Sequence, residues 1–276
     1  MAISRCPFSW GVFILSTAIV VTLQRRQKKH RDQDQAAASS SSSKTLDCHS
    51  TAAAVASSAL PNCEVVFVLG APGTGKGTQC ELLARRLFDP KKHHNKTMWT
   101  HLSAGDLLRE ERNAPGSALG DLINAKINAG ELVPSAITVQ LLENAMRHAY
   151  NNNGPDGGCV HYLIDGFPRG HENLAAWQAT MTPQGHTVKF VLNFECPEEV
   201  LVGRLLERGK DSGRSDDTLA VIRKRFQTHQ HNTVPLLAQF AANTTTPVHT
   251  IDSAQSVEQV YYSVVGYFQP PEQQQQ

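Results

Sequence analysis

The sequence predicts an α/β fold in three layers, with a parallel sheet covered by helices on both faces. Two observations support this prediction. Short apolar runs of strand length begin at residue 64, and amphipathic stretches at helical spacing alternate with them. Such alternation is typical of a parallel sheet, which needs helices on both faces. Because ligands of these sheets bind beyond the carboxyl ends of the strands, we expect the functional site there.

The individual elements follow from the apolar pattern. The run EVVFVL at 64–69 has no polar alternation and suits a strand buried on both faces. Further strands are predicted at 99–103, 160–164, 189–194 and, as a short one, near 248–251. Helices are predicted near 76–88, 105–112, 117–129, 135–150, 171–181, 197–208, 216–242 and 256–267.

Composition excludes several classes of protein. The 26 lysines and arginines nearly cancel the 25 acidic residues, so the chain lacks the positive field of a nucleic-acid-binding protein. Its six cysteines form no CxxC pair, which disfavours a zinc ribbon or a disulfide framework and fits a reducing compartment. The histidines, including His229 and His231, show no ligand spacing. We interpret them as surface or packing residues.

The chain divides by composition into four parts. Residues 1–31 contain an uncharged apolar run at 7–23 and a basic flank, RRQKKHR. This order predicts a signal anchor that leaves the following domain in the cytoplasm, and the alternative is an organelle-targeting presequence that is removed. We predict a disordered linker at 32–61, one folded domain at 62–270 and a disordered tail at 271–276.

A glycine-rich loop follows the first strand. Residues 70–76, GAPGTGK, match the pattern G-x-x-x-x-G-K between a hydrophobic strand and a helix, where it binds phosphate. Glycines let backbone N–H groups turn toward an anion, and the helix N-terminus adds partial positive charge. Lys76 then reaches the β- and γ-phosphates. Gly77 stands where a metal-binding hydroxyl is usual, and Thr78 comes one position later.

Four motifs together resemble the nucleoside monophosphate kinases. They are GAPGTGKGTQC at 70–80, HLSAGDLLR at 101–109, IDGFPR at 164–169 and ERGKDSGRSDD at 207–217. The resemblance implies a P-loop kinase fold with a five-stranded parallel sheet, a small arm that binds the nucleoside monophosphate (NMP), and a lid. Only GKDSG separates Arg208 from Arg214, which is similar to the short-lid class and leaves no metal cage in the lid.

The resemblance also implies roles for the basic residues. Arg109 and Arg169 would bind the α-phosphate of the acceptor, and Arg214 and Arg225 would close over the transferring group. Arg204 and Arg208, four residues apart on one helix face, would hold the ATP side. Asp216 and Asp217 would position the lid arginines. The predicted catalytic set is Lys76, Arg169, Arg204, Arg214 and Arg225, and the predicted ATP-binding set is Gly73, Thr74, Gly75, Lys76, Gly77, Thr78, Arg208 and Gln255.

Several cations are needed because phosphoryl transfer brings two polyanions together. No general base is required, since a phosphate monoester is already ionised at neutral pH. The reaction needs Mg²⁺ as cofactor, and Asp165 is predicted to orient it through water.

The acceptor is predicted to be a pyrimidine monophosphate. Ala104 stands where similar adenylate kinases carry a threonine, as it does in the UMP-CMP group. The amide of Asn173 could meet cytosine or uracil by exchanging its oxygen and nitrogen. The predicted NMP-binding set is Ala104, Arg109, Glu131, Leu132, Val133, Gly166, Phe167, Pro168, Arg169, Asn173, Arg214 and Arg225.

The predicted activity is therefore ATP-dependent phosphorylation of UMP, CMP and dCMP to diphosphates by a monomeric enzyme. An adenylate kinase that uses AMP is the alternative within enzymes. A P-loop ATPase or switch protein is a further alternative, but it would need no second set of phosphate-binding arginines.

Overall fold

The computed structural model describes residues 62–86, 97–153, 159–212 and 216–268. The predicted N-terminal segment, the linker up to residue 61 and the tail at 271–276 lie outside these ranges, so they stay predictions. None of the helices in the described ranges combines the length and the apolar character that crossing a bilayer requires.

A parallel sheet forms the centre of the fold, as predicted. Its strands run in the order β2-β3-β1-β4-β5, and β1 pairs in parallel with both β3 and β4. In this register Phe67 lies opposite Ile164 on one side and Val191 on the other. The strands are β1 (Glu64–Gly70), β2 (Thr97–Ser103), β3 (Cys159–Asp165), β4 (Thr187–Glu195) and β5 (Val248–Asp252).

Helices cover both faces of the sheet. They are α1 (Lys76–Arg86), α2 (Ala104–Asn113), α3 (Gly120–Ala129), α4 (Ser135–Asn153), α5 (His171–Thr180), α6 (Glu198–Ser212), α7 (Leu219–Thr228), α8 (Val234–Ala242) and α9 (Val257–Val265). Short 3₁₀ turns lie at Thr182–Gln184 and Gly266–Phe268, and a π-helical turn spans His229–Thr233.

Alternate residues of β1 enter two different cores. Phe67 packs with residues of α4, α5 and α8, and its ring centroid lies 5.3 Å from that of Trp177. Val66 and Val68 face the opposite side, where Leu83 of α1 and Val264 of α9 are buried. Successive side chains of a strand point to opposite faces, so these two cores confirm the three-layer prediction.

The predicted helix at 216–242 is wrong in its middle. The structure has α7, then the π-helical turn, then α8. Pro235 stands near the start of α8 and has no backbone N–H, so the regular hydrogen-bond ladder cannot continue through it. The N–H of Val234 instead bonds to the carbonyl of His229, five residues back.

Helix α6 also differs from its prediction. It extends beyond residue 208 to Ser212, so the first residues of the predicted lid continue a helix. The other predicted elements differ from the structure by a few residues at their ends, which is the usual uncertainty of helix and strand boundaries.

The C-terminal 3₁₀ turn packs toward the amino ends of the strands. The ring of Phe268 lies 5.4 Å from that of Trp99 in β2 and 5.3 Å from that of Phe190 in β4. Tyr267 stacks on His249, near the start of β5, at 4.1 Å. The described residues therefore begin just before β1 and end near the amino ends of the strands.

Candidate active site

A cleft of about 520 Å³ opens at the carboxyl ends of the strands. The first three strands bring Gly70, Ser103 and Asp165 to its wall. Most of the predicted site residues line it: Gly73, Thr74, Gly75, Lys76, Gly77, Thr78, Arg109, Leu132, Asp165, Gly166, Arg169, Arg204, Arg208, Arg225 and Gln255. Segments far apart in sequence thus meet in one cleft.

The glycine-rich loop at 70–76 has backbone angles that favour glycine. Gly70, Gly73 and Gly75 have φ values of 139°, 89° and 82°. A Cβ atom at Gly70 would also lie 2.4 Å from the carbonyl oxygen of Phe194 in β4. The loop ends where α1 begins at Lys76, so its N–H groups and the helix N-terminus form one site for an anion.

Lys76 folds back on the loop that carries it. Its ammonium donates to the carbonyls of Gly70 at 3.0 Å and Ala71 at 2.9 Å, and to the hydroxyl of Thr74 at 3.1 Å. Burial lowers the pKa of Lys76 to about 8, although the carboxylate of Asp165 opposes the shift. The three acceptors are neutral, so a polyphosphate would be a stronger partner for this ammonium.

Two arginines occupy the side of the cleft nearest α2. Arg169 donates from Nε to the carbonyl of Gly166 at 2.8 Å. Burial, together with the nearby charges of Arg225 and Arg109, lowers the pKa of Arg169 to about 10 against the opposing effect of Asp165. Arg109 pairs with Asp106 one helical turn earlier. These shifts show that the cations lie close enough to repel one another.

Two aspartates after α6 form ion pairs with arginines at the cleft. Arg208 donates from Nε and Nη2 to the carboxylate of Asp217, both at 2.7 Å. Arg225 contacts Asp216 and Asp217 at 3.0 Å each. The side chain of Asp217 is fully buried. Arg214, the remaining predicted lid arginine, lies outside the described residues.

A second group of polar residues lines the cleft near β5. Arg204 donates to the carbonyl of Ser253 at 2.9 Å and contacts the sulfur of Cys196 at 3.9 Å. Gln255 donates to the carboxylate of Asp252 at 3.1 Å. Arg204 and Arg208 both line the cleft from one helix, as their spacing predicted.

Six of the predicted residues that fall in the described ranges are not among those that line the cleft: Ala104, Glu131, Val133, Phe167, Pro168 and Asn173. Phe167 is buried in the core, 5.8 Å from Trp177 between ring centroids. Val133 packs with Leu108 and Ile123. A motif fixes where the backbone runs, but a side chain in it can still point into the core.

Asn173 lies just behind the cleft wall with both ends of its amide engaged. Its oxygen accepts the backbone N–H of Arg169 at 3.0 Å, and its nitrogen donates to the hydroxyl of Ser135 at 2.7 Å. A backbone N–H can bond only to the amide oxygen, so exchanging oxygen and nitrogen would break this hydrogen bond.

Sequence reasoning missed two histidines of the cleft. The Nε2 atom of His101 lies 3.9 Å from the carboxylate of Asp165, and burial lowers the pKa of this imidazole. His229 also lines the cleft, and burial lowers its pKa to about 4. Neither residue has a ligand-like spacing. The π-helical turn that contains His229 left no signal in the apolar pattern.

A metal ion would have few protein ligands here. Within the described ranges no group of three or more histidine, cysteine, aspartate or glutamate residues could hold one. Asp165 is the carboxylate that ends β3 beside the glycine-rich loop, and a Cβ atom at Gly77 would lie 3.4 Å from its Oδ2. One carboxylate suits Mg²⁺, which keeps several waters and takes its other ligands from substrate phosphates.

Comparisons with known proteins agree with this geometry. A sequence model of the adenylate kinase family matches residues 68–245. Curated relatives include the UMP-CMP kinases of Gallus gallus and Xenopus tropicalis, each 44% identical over 204 residues, or 74% of this chain and 96% of the relative. The UMP-CMP kinase of Homo sapiens is 43% identical over the same shares.

Proposed function

The chain belongs to the adenylate kinase family, and we propose that it transfers the terminal phosphoryl group of ATP to UMP or CMP. The family model covers more than half of the chain, and the curated relatives are UMP-CMP kinases matched over nearly their whole length. The adenylate kinase alternative is not favoured, because the relatives reported above carry the other name.

The convergence of four cations in one cleft is the observation that supports this proposal most directly. Lys76, Arg109, Arg169 and Arg225 all line it, and the charge of Arg225 lowers the pKa of both Lys76 and Arg169. An ATPase or switch protein would need no site for a second phosphate, so it would not need the two arginines Arg109 and Arg169. Two phosphate-bearing ligands that meet end to end would need them all.

The proposed mechanism follows from where these groups lie. The glycine-rich loop would hold the donor phosphates with its N–H groups, and Lys76 would leave the carbonyls of Gly70 and Ala71 to bind them. Arg109 and Arg169 would hold the acceptor phosphate in line. Arg225 would neutralise charge that develops on the transferring oxygens. No residue needs to remove a proton, because the attacking phosphate oxygen is already ionised.

Asp165 would hold Mg²⁺ through water, and the ion would neutralise charge on the donor phosphates. Arg214 would join Arg225 when the lid closes. Closure would exclude water, which otherwise could accept the phosphoryl group. Arg204, Arg208 and Gln255 would bind the rest of ATP.

A coupled assay with CMP, UMP and AMP tests the proposed acceptor. We expect kcat/KM to be highest with CMP or UMP, and fastest turnover with AMP would overturn the proposal. Hydrolysis of ATP at the same rate without any monophosphate would instead favour the ATPase alternative.

The variant Asn173→Asp tests the proposed contact between this residue and the base. An ionised carboxylate only accepts hydrogen bonds, so it should favour the amino group of cytosine over the carbonyl of uracil. We expect the ratio of kcat/KM for CMP to that for UMP to rise. Gln178→Glu, which places the same charge change on the exposed side of α5, is the control. An unchanged ratio in Asn173→Asp would contradict the base contact.

The location and assembly of the protein remain proposals. We propose a monomeric kinase domain in the cytoplasm, anchored by the apolar run at 7–23. The support for the anchor is the order of apolar and basic residues in the sequence. Imaging of fluorescent fusions with and without residues 1–31 tests it, since identical distributions would exclude an anchor or targeting role.

A further inference from the structure

The π-helical turn at His229–Thr233 connects two parts of the acceptor side. Just before it, the hydroxyl of Thr228 donates to the carbonyl of Gly130 at 2.9 Å. At its end, the hydroxyl of Thr233 donates to the carbonyl of Arg169 at 2.9 Å. The turn is therefore fixed at both ends against residues that line the cleft, and isolated π-helical turns are frequent at functional sites.

His229 and Thr233 of this turn line the cleft, and the hydroxyl of Thr233 is already bonded to the carbonyl of Arg169. The Nε2 atom of His229 is closed to solvent and has no hydrogen-bond partner among the described residues. Buried polar atoms in folded proteins are nearly always paired, so this unpaired one needs a partner such as a water molecule or a ligand in the cleft. Two positive charges act on this imidazole. Besides burial, the charges of Lys76 and Arg169 both lower the pKa of His229.

The charges around His229 identify the chemistry of that partner. Lys76 belongs to the donor side of the cleft and Arg169 to the acceptor side. The imidazole therefore lies close to the charges of both sides. A third cation at this point would add to the repulsion between Lys76 and Arg169. A neutral imidazole adds a hydrogen-bond donor without that cost, and phosphate oxygens are the acceptors that the two flanking cations attract.

We propose that His229 is a phosphate-contacting residue, whose Nε2–H donates a hydrogen bond to phosphate oxygens at the junction of the donor and acceptor. This inference rests on the proposed function, since it needs two nucleotides that meet in the cleft. Nε2 is closed to solvent in the present conformation, so the contact forms with a rearrangement of the cleft wall.

Kinetics of three variants separate a contact from a packing role. His229→Phe keeps a flat ring but has no donor, and His229→Gln keeps a donor. We expect His229→Phe to lower kcat/KM for the monophosphate by roughly tenfold to a hundredfold, as for one lost hydrogen bond to a charged group. His229→Gln should recover part of this loss. His231→Ala, at an exposed residue of the same turn, is the control and should leave kcat/KM unchanged.

A nitrogen NMR measurement on the full wild-type chain tests the contact without a substitution. We expect the Nε2 signal of His229 to shift when ADP and CMP are added together, but not when adenosine and cytidine are added. A packing role would leave the signal in place with either pair. An unshifted signal, or a His229→Phe variant as active as wild type, would overturn the proposal.

The same experiments separate this proposal from the proposed acceptor. If AMP is the true acceptor, ADP with AMP will shift the signal, and the loss in His229→Phe will appear with AMP. If His229 has no contact, wild type will still phosphorylate CMP or UMP while the signal stays unmoved.

Discussion

At the scale of single residues, charges held close together in the cleft decide how the protein responds to pH. Lys76 is the clearest case, because burial brings its pKa from the ordinary value of 10.5 to about 8. A polyphosphate binds the charged form of this side chain. The free protein therefore has the binding form below pH 8 and progressively loses it above.

We predict that kcat/KM for ATP is level below pH 8 and falls by about tenfold per pH unit above it, because kcat/KM reports the free enzyme. The control is Lys76→Arg, whose side chain stays charged, so calorimetric affinity for ATP should show no fall near pH 8.

The effect of the same pKa shift on the stability of the protein has the opposite sign. The unfolded chain keeps this proton up to pH 10.5, so the shift makes ligand-free stability rise between pH 8 and pH 10.5. A kcat/KM for ATP that stays level up to pH 9.5 would contradict the lowered pKa of Lys76.

Asp217 gives a second prediction at this scale. Its fully buried carboxylate accepts two hydrogen bonds from Arg208 and one from Arg225. Asp217→Asn leaves both arginines without that charge and turns an amide N–H toward one of them. We expect the free energy of unfolding to fall by about 3–5 kcal/mol, measured in urea, with a loss of activity. Glu207→Gln, which breaks only an exposed pair with Lys210, should change it by less than about 0.5 kcal/mol.

The sequence allowed the charged residues of the site to be predicted better than the residues around them. Arginines and the loop lysine occur in motifs whose chemistry needs them, and those in the described ranges line the cleft. Phe167 and Val133 occur in similar segments yet point into cores, because side-chain direction depends on packing that no short pattern contains. His229 was missed because it belongs to no motif. It lies at the cleft only because the helix changes its spacing at the π-helical turn.

At the scale of the elements, the same residue type has opposite effects in two places. Gly203 lies exposed inside α6, and a Cβ atom there would meet nothing within 4 Å. Gly70 ends β1 with φ at 139°, and a Cβ atom there would meet backbone of the neighbouring strand. Glycine inside a helix makes the folded state less stable than alanine would, whereas alanine cannot adopt the backbone conformation of Gly70 without strain.

We therefore predict that Gly203→Ala raises the free energy of unfolding by about 0.5–1 kcal/mol and leaves kcat unchanged. Gly70→Ala should be strongly destabilising and should lose affinity for ATP, measured by calorimetry on whatever folded protein remains. Equal stability of the two variants would show that the loop does not need its present backbone conformation.

Apolar periodicity predicted the type of each described strand and helix because it records which face is buried. It failed where backbone hydrogen bonding alone changes, as between α7 and α8. A π-helical turn keeps nearly the same sequence of buried and exposed residues over a few positions, so only Pro235 signalled the interruption. Element ends depend on such local bonding and are predicted less well for the same reason.

At the scale of the whole molecule, the cleft concentrates positive charge in a protein of almost zero net charge. The charges of Arg169 and Arg225 lower the pKa of Lys76, and the charge of Arg225 also lowers the pKa of Arg169. A polyanion in the cleft relieves this repulsion and binds the folded state alone. Ligands that bind only the folded state raise its stability by mass action.

We predict that inorganic tripolyphosphate, at about a hundred times its Kd, raises the free energy of unfolding by about 2.7 kcal/mol. Sodium chloride at equal ionic strength is the control and should have a much smaller effect, since it screens without occupying the cleft. Thermal unfolding followed by circular dichroism gives the comparison. Equal midpoints in the two salts would show that the cations do not form a polyphosphate site.

The direction of the strands has a practical consequence for attachments to the protein. All five strands point their carboxyl ends at the cleft, while Asn62 precedes β1 and Phe268 packs on Trp99 and Phe190, toward the amino ends of β2 and β4. A tag, a membrane tether or a solid support joined before residue 62 or after residue 268 would leave the substrate entrance unobstructed. Immobilisation through either terminus should preserve turnover, whereas cross-linking through α2 or α6 should not.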